Sequence, residues 1–277
     1  MEPSYKIIDN IVCYSPEAAL QNEDFDASIF PVYDKLIRKN FWYRSRNDII
    51  QWLLKKFASG NSLSMLEIGC GTGYVLSGLK KNNVLKLTGS EIYLEGLKYA
   101  KENNPGVDFF QVDICKVSFE NKYDVIGCFD VLEHIERDEE ALKNIYASLK
   151  PGGLLLISVP AYMFLWSFMD EINKHKRRYS KKELLTKIKA AGFSVQYCSF
   201  FVFTLFPFLL LNRILNRKKD HKPVEQLTFD EMAGYLNLDI NPVVNGVFRL
   251  LMKIDETLMK IGFRLPFGSS IIISARK

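Results

Sequence analysis

Glu67-Ile68-Gly69-Cys70-Gly71-Thr72-Gly73 is the stretch on which the reading of this chain turns. It follows a short apolar run, Ser64–Ile68, and precedes Tyr74–Lys81, which has a helical pattern. Glycines between a strand and a helix let the backbone turn sharply and approach a ligand closely. The helix start beyond them offers amide donors and a partial positive charge. A dinucleotide fold spaces its glycines as G-x-G-x-x-G. Here the third glycine comes one residue early, and Tyr74 stands where the dinucleotide motif needs glycine. That departure favours a ligand without a pyrophosphate.

Outward from the loop, strand and helix alternate. Leu85–Ser90 reads as a strand with Leu94–Glu102 as its helix, closed by Asn104-Pro105-Gly106. Val107–Gln111 and Tyr123–Cys128 follow as strands, then helix Arg137–Leu149 and strand Leu154–Val159. Ser180–Ala191 is a helix opened by a Ser180/Glu183 capping box, and Phe193–Ser199 is the next strand. Ser270–Ala275 is the final strand. This alternation predicts an α/β fold with a doubly wound, mostly parallel sheet. On the N-terminal side, Pro31–Phe57 reads as one long helix and the first thirty residues as irregular. The connection between Phe193–Ser199 and Ser270–Ala275 is far longer than usual, so it must carry structure of its own. The expected organisation is an N-terminal helical cap (1–60), a core (61–200 plus 266–277) and a helical insertion (201–265).

Acids stand in register with the glycine loop. Glu91 ends the second strand, where a carboxylate can accept hydrogen bonds from both ribose hydroxyls. Asp113, followed by Ile114, comes after the third strand and can accept from an adenine amino group. Glu67 adds a third carboxylate, which suits a cofactor carrying a sulfonium and an ammonium. A structural turn alone would not call for three acids at successive strand ends.

These residues, with Asp130-Val-Leu-Glu-His134 and Leu149-Lys-Pro-Gly-Gly153, resemble the class I S-adenosylmethionine-dependent methyltransferases over about residues 60–200 and the last strand. The resemblance implies a Rossmann-like, seven-stranded sheet whose last strand is antiparallel. It implies that Gly69, Gly71 and Gly73 line the methionine part of S-adenosylmethionine, that Glu91 holds the ribose and Asp113 the adenine. Phe129 would face the adenosine or the acceptor. Phe41-Trp-Tyr-Arg-Ser-Arg-Asn47 resembles a cofactor-covering helix in a bacterial branch of the family, which shares Leu165-Trp-Ser, His175-x-x-Arg-Tyr and Pro266-Phe-Gly-x-Ser270. That branch is poorly divided by substrate, so the resemblance names a reaction and not an acceptor.

Methyl transfer needs donor and acceptor positioned and, for an oxygen acceptor, a proton removed. Of the three histidines, His134 follows the fourth strand and His175 a loop after the fifth, while His221 sits in a basic run. Asp130, Glu133, His134 and His175 form a candidate Mg²⁺ or other divalent site. A similar arrangement, with Glu in place of Asp130, occurs in ubiquinone-pathway O-methyltransferases and small-RNA 2′-O-methyltransferases, where the metal grips the acceptor oxygens. The plainer alternative has Asp130 and Glu133 capping a helix and His134 packing or serving as base. Tyr162, Trp166, Phe168, Arg177 and Arg178 are candidates for an acceptor pocket, or else core aromatics and surface ion pairs.

Composition bounds the rest. The 277 residues are 48% hydrophobic and 25% charged, as in ordinary globular proteins. Five scattered cysteines with no CxxC pair give neither a disulfide framework nor a zinc site. The polar stretch Met1–Asn10 lacks the apolar core of a signal peptide, and a cytoplasmic location is expected. Residues 1–150 hold 18 Lys and Arg against 22 Asp and Glu, a balance of −4; residues 151–277 hold 19 against 10, a balance of +9. A basic half suits an anionic acceptor, anionic lipid or nucleic acid, or is simply a solvated surface. RNA methylation is the runner-up, but no appended binding domain or aromatic RNP motif is visible, so no nucleic acid is expected. A silent cofactor-binding subunit would need neither the acids nor the loop histidines. Phe200–Leu211, five phenylalanines and four leucines followed by Arg213, Arg217, Lys218, Lys219 and Lys222, reads either as a buried lid or as a peripheral membrane contact through 200–222. The leading expectation is methyl transfer to an oxygen of a small or amphipathic acceptor with a histidine base.

Overall fold

The computed structural model describes residues 3–21, 26–216, 222–236 and 238–277. The sheet holds nine strands among these residues: β1 (Lys6–Ile8), β2 (Ile11–Cys13), β3 (Leu63–Ile68), β4 (Leu85–Glu91), β5 (Asp108–Gln111), β6 (Tyr123–Phe129), β7 (Leu149–Pro160), β8 (Ser194–Phe201) and β9 (Ser270–Arg276). Their order is β1-β2-β5-β4-β3-β6-β7-β9-β8. Strands β3 to β9 make the expected seven-stranded unit, parallel except for β9, which pairs antiparallel with both β7 and β8.

The seven-stranded expectation falls short by the N-terminal hairpin. Asp9 and Asn10 both take positive φ, 51° and 59°. That is the backbone of a two-residue turn, which suits Asp and Asn and matches the twist of the strands it joins. β2 then pairs parallel with β5, Val12 beside Phe110 and Cys13 beside Gln111. Three-residue strands are too short to show an alternating pattern, so only the turn could have announced them.

The helices are α1 (Pro16–Gln21), α2 (Phe30–Leu36), α3 (Phe41–Phe57), α4 (Tyr74–Leu79), α5 (Leu94–Asn103), α6 (Asp138–Ser148), α7 (Phe168–Ile172), α8 (Lys181–Ala190), α9 (Phe206–Asn216), α10 (Phe229–Tyr235) and α11 (Pro242–Lys260). The single helix expected over Pro31–Phe57 is two. Asn40 has extended backbone and its Oδ1 accepts from Trp42 N, so it starts a new helix instead of continuing the old one. Ser180 caps α8, accepting from Glu183 N at 3.2 Å, which is one arm of the expected capping box.

Both faces of the central strands are covered, and β6 and β7 bury nearly every side chain. The chain moves from β3 out to β5 and then returns to lay β6 on the other side of β3. At such a reversal the loops beyond the strand ends part, and a crevice opens there. α3 roofs it, and α11 clamps α3 from outside: Asn245 accepts from Phe41 N at 2.8 Å and donates to Lys39 O at 2.9 Å, and Arg249 pairs with Asp48 and Glu256.

Candidate active site

The crevice is a cavity of about 710 Å³. One wall is the loop after β3. Gly69, Gly71 and Gly73 all have positive φ, between 54° and 77°, where an L side chain is strained. They differ in what surrounds them. A Cβ on Gly69 would lie 2.4 Å from a Val131 methyl, and one on Gly73 2.3 Å from Asn104 Nδ2. On Gly71 it would meet only Phe30, at 3.9 Å, and otherwise point into open space. Gly71 thus keeps the cavity clear, whereas Gly73 packs behind it; Gly69 and Gly71 border the cavity and Gly73 does not.

Glu91, at the end of β4, accepts from Gly71 N at 3.0 Å and from Ile92 N at 2.7 Å. Burial pushes its carboxyl up, and these amides pull it back. Glu67 is buried with Oε2 unpartnered. Burial raises its pKa to about 8; Arg46 opposes the shift and Glu91 adds to it. Asp113 accepts from Cys115 N at 2.9 Å, and with Ile114 and Phe129 it borders the cavity. A cradle that a Cβ would fill, beside an orphaned carboxyl, fits a cationic cofactor such as S-adenosylmethionine.

The opposite wall comes from segments far apart in sequence. Arg46 of α3 reaches down beneath Trp42 and Tyr43, 5.0 and 5.3 Å from their ring centres, and pairs with Asp130. Asp130, held at φ 55°, also accepts from Ser158 Oγ at 2.9 Å. Tyr33 donates to Asn173 Oδ1 at 2.6 Å, and burial raises its hydroxyl to about 12. Sequence reasoning did not single out Arg46, Tyr33 or Asn173. For Arg46 a signal existed: a charged residue on the same helix face as Ile49, Ile50 and Leu53.

His134 and His175 meet edge to face, ring centres 4.7 Å apart, at the cavity wall. His175 Nδ1 lies 2.8 Å from Asp170 Oδ1, and Arg178 holds the same carboxylate through Nε at 2.7 Å and Nη2 at 3.0 Å. These partners outweigh burial and hold Asp170 at about 2. The carboxylate is therefore ionised and only accepts, which assigns the proton to His175 Nδ1 and leaves Nε2 as the basic nitrogen.

The expected metal set changes. Glu133, His134 and His175 offer ligand atoms all within 4.8 Å of one another. Asp130 is not among them, because Arg46 and Ser158 engage its carboxylate. Glu133 is fully buried, neither oxygen has a hydrogen-bond partner, and burial followed by Asp130 pushes its carboxyl well up. An orphaned carboxyl beside two imidazoles fits a divalent cation, although two nitrogen donors suit a transition metal better than Mg²⁺.

The acceptor candidates also divide. Arg178 borders the cavity; Tyr162, Trp166 and Arg177 do not. The Tyr162 ring stacks between Phe164 and Phe200, at 5.0 and 5.3 Å. Arg177 turns to Glu136 and Asp138, the second at 3.3 Å. Trp166 closes the short turn Met163–Leu165, its amide donating to Met163 O, and α7 starts two residues on. Phe168 packs on Tyr235 instead. In their place the wall takes Leu205, Phe208, Leu209, Asn212 and Arg213 from the α9 region and Phe248 from α11. Arg213 Nε has no hydrogen-bond partner, and burial and nearby Arg178 lower its pKa. Arg217, Lys218, Lys219 and His221 lie outside the described residues.

A parallel sheet with this strand order, a glycine loop after its first core strand and acids at the next strand ends define the class I S-adenosylmethionine-dependent methyltransferases. Residues 41–197 match a family described as "Methyltransferase domain", and the chain belongs to it. The ubiquinone biosynthesis O-methyltransferase of Rickettsia bellii (strain OSU 85-389) is 30% identical over 115 residues, covering 40% of this chain and 48% of that one. The Rickettsia felis enzyme of the same name is 30% identical over 113 residues, 40% of this chain and 46% of its own. The chain thus spans about half the length of these relatives. Phosphoethanolamine N-methyltransferase 2 of Haemonchus contortus, solved with S-adenosyl-L-methionine, superposes with a TM-score of 0.60 at 19% identity over 95% of this chain and 60% of that one. The cyclase SpnF superposes at 0.55, with 19% identity over 85% of this chain and 82% of that one. Likeness at that level establishes the fold and not the reaction.

Proposed function

We propose that the protein transfers a methyl group from S-adenosylmethionine to an oxygen of a small or amphipathic acceptor, with a histidine as base. The observation that carries this reading is the Arg178–Asp170–His175 chain, which presents a basic nitrogen at the cavity wall beside His134. Glu67, Gly69, Gly71, Glu91, Asp113, Ile114 and Phe129 hold the cofactor, with Gly73 shaping the loop from behind. When bound, S-adenosylmethionine supplies an activated methyl group open to in-line displacement by the acceptor oxygen. His175 Nε2 takes the acceptor's proton, and Asp170 holds the ring in orientation and stabilises the charged imidazolium. Arg178 fixes Asp170 in turn. Tyr33, Asn173 and the α9 residues orient the acceptor, and the apolar side chains there suit one with a hydrocarbon part. A divalent cation on Glu133, His134 and His175 would serve the same end by gripping the acceptor oxygen. Of the apolar segment, Phe200, Phe201, Val202, Leu205 and Phe206 are buried, and the exposed Phe208, Leu211, Ile214 and Leu215 of α9 give the protein a peripheral membrane contact beside this wall.

The test is turnover with methyl-labelled cofactor against cell-extract fractions and catechol-type or prenylated phenols. His175→Ala should lower turnover by about 10²–10⁴-fold while cofactor affinity stays near native. Loss of activity with a chelator, restored by a divalent ion, would select the metal version. Full activity in the His134→Ala/His175→Ala double variant would eliminate both versions.

A further inference from the structure

α11 carries apolar side chains on both of its sides. The inner side buries Met252 and Met259 and packs Phe248, Leu251 and Leu258 on the core, with charged groups among them. Asp255 (0% exposed) accepts from Phe203 N and Thr204 N at 2.6 and 3.1 Å, and Glu256 (1%) lies in a network with Arg249 and Lys253 that reaches Asp48 of α3. A second set of apolar side chains faces out: Val243 is 74% exposed, Leu250 68% and Ile261 66%, with Val247 and Ile254 between them in one stripe at helical spacing. α9 adds a second outward stripe, Phe208, Leu211, Ile214 and Leu215. The two helices meet where Thr204 Oγ1 donates to Leu251 O, just before α9 starts. Phe208 of the α9 stripe borders the cavity, and so does Phe248 on the inner side of α11, so the cavity lies next to this outward surface.

We infer that this outward face of α11 and α9 docks on an anionic lipid surface, so that an amphipathic acceptor reaches the cavity from the bilayer. Contiguous exposed apolar side chains on this scale mark an interaction site. The charge pattern selects lipid as the occupant. From 241 to 264 the exposed ionisable residues are Lys253, Lys260 and Arg264, with no exposed acid among them. In the sequence, α9 leads directly into Arg217-Lys218-Lys219. Basic residues bordering an apolar helical face are the pattern of interfacial binding to anionic headgroups. No helix among the described residues is long and apolar enough to cross a membrane, so the contact lies in the interface.

The inference extends the amphipathic-acceptor reading, but its test uses neither acceptor nor turnover, so either can fail alone. The purified full chain is floated with vesicles of phosphatidylcholine, or of phosphatidylcholine with roughly a third phosphatidylglycerol. Binding to the anionic vesicles that salt weakens is expected. Leu250→Glu/Ile254→Glu should lower it about tenfold or more, with native cofactor affinity as proof of folding. Lys260→Ala/Arg264→Ala should lower it by about fivefold for each charge removed. In an otherwise native chain, a tryptophan placed by Val247→Trp should be quenched by brominated acyl chains. Absent binding, equal binding to both vesicle types, or a dimer that the double Glu variant dissociates without any vesicle binding would each overturn the proposal.

Discussion

The two walls of the cavity, the one proposed to hold the cofactor (the cofactor wall) and the one proposed to take the acceptor (the acceptor wall), are built on different plans. The first is a set of neighbouring strand ends, from Glu67 on β3 through Glu91 on β4 to Asp113 after β5, with backbone amides as its main donors. The second brings Arg46 from the N-terminal side together with Asp130, Asp170, His175 and Arg213, and its contacts run mostly between side chains. Backbone geometry at a strand end is set by the sheet and survives many substitutions. A wall of mutually paired side chains depends on each partner. The first wall should therefore fail mainly in cofactor affinity, the second in stability as well.

The largest effect is expected at Gly71. Gly71→Val should remove cofactor binding, a loss above about 100-fold, because the side chain enters the cavity that Gly71 leaves open. Glu91→Ala should approach it, since charge-assisted hydrogen bonds are worth about 1.5–3 kcal/mol each. Both glycine substitutions strain a positive-φ backbone, but Gly73→Val should lower the melting temperature further, because its Cβ would also strike Asn104. Calorimetry paired with thermal melts measures both. Equal melting temperatures for the Gly71 and Gly73 variants would break the distinction between a glycine facing the cavity and one packed behind it.

Next in size is Arg46→Met. It strands Asp130 in a site where neither partner is well solvated. Breaking such a pair costs about 3 kcal/mol or more, and replacing the second partner as well restores part of it. Denaturant unfolding of Arg46→Met and of Arg46→Met/Asp130→Leu gives the two values. If the double variant is no more stable than the single one, the acceptor wall is not organised around this pair.

The smallest effect is a pH dependence. Glu67 keeps its proton in the folded protein up to about 8, well above its ordinary range. Between that range and about 8 the unfolded chain binds fewer protons than the folded one, so this group's contribution to stability falls as pH rises through the window. A cationic cofactor prefers the ionised carboxylate. Affinity should accordingly rise by up to roughly tenfold per pH unit approaching 8 and then level off. Titration calorimetry in buffers of different ionisation enthalpy should also register a released proton. Glu67→Gln should flatten both responses; an unchanged pH profile in that variant would place the proton elsewhere.

Several features were legible in the sequence because each is a local event. The turn Gly69–Gly73, the strands on either side of it and the acids at the next strand ends follow from short-range pattern and a recognisable loop; the antiparallel last strand came only from the family resemblance. The break at Asn40 was not legible, because the apolar spacing on either side continues in phase and only an N-cap interrupts it. Tyr162, Trp166 and Arg177 show the limit of composition: aromatics and arginines after β7 suggest a pocket, yet two of the three find partners away from it and the third serves a turn.

By itself, the sequence determined the seven core strands and the glycine loop and singled out the two histidines, since strand ends and tight turns are decided within a few residues. Tertiary structure decided three further things. It removed Asp130 from the metal candidates by pairing it with Arg46, and it made α9 part of the cavity wall. It also turned the apolar stripe of α11 outward. That last decision is hidden in the sequence, because α11 has apolar residues on both sides and the pattern does not say which side the protein keeps. Here the inner side holds Met252 and Met259 together with Asp255, Glu256 and Arg249, since charged groups removed from water must hold their partners.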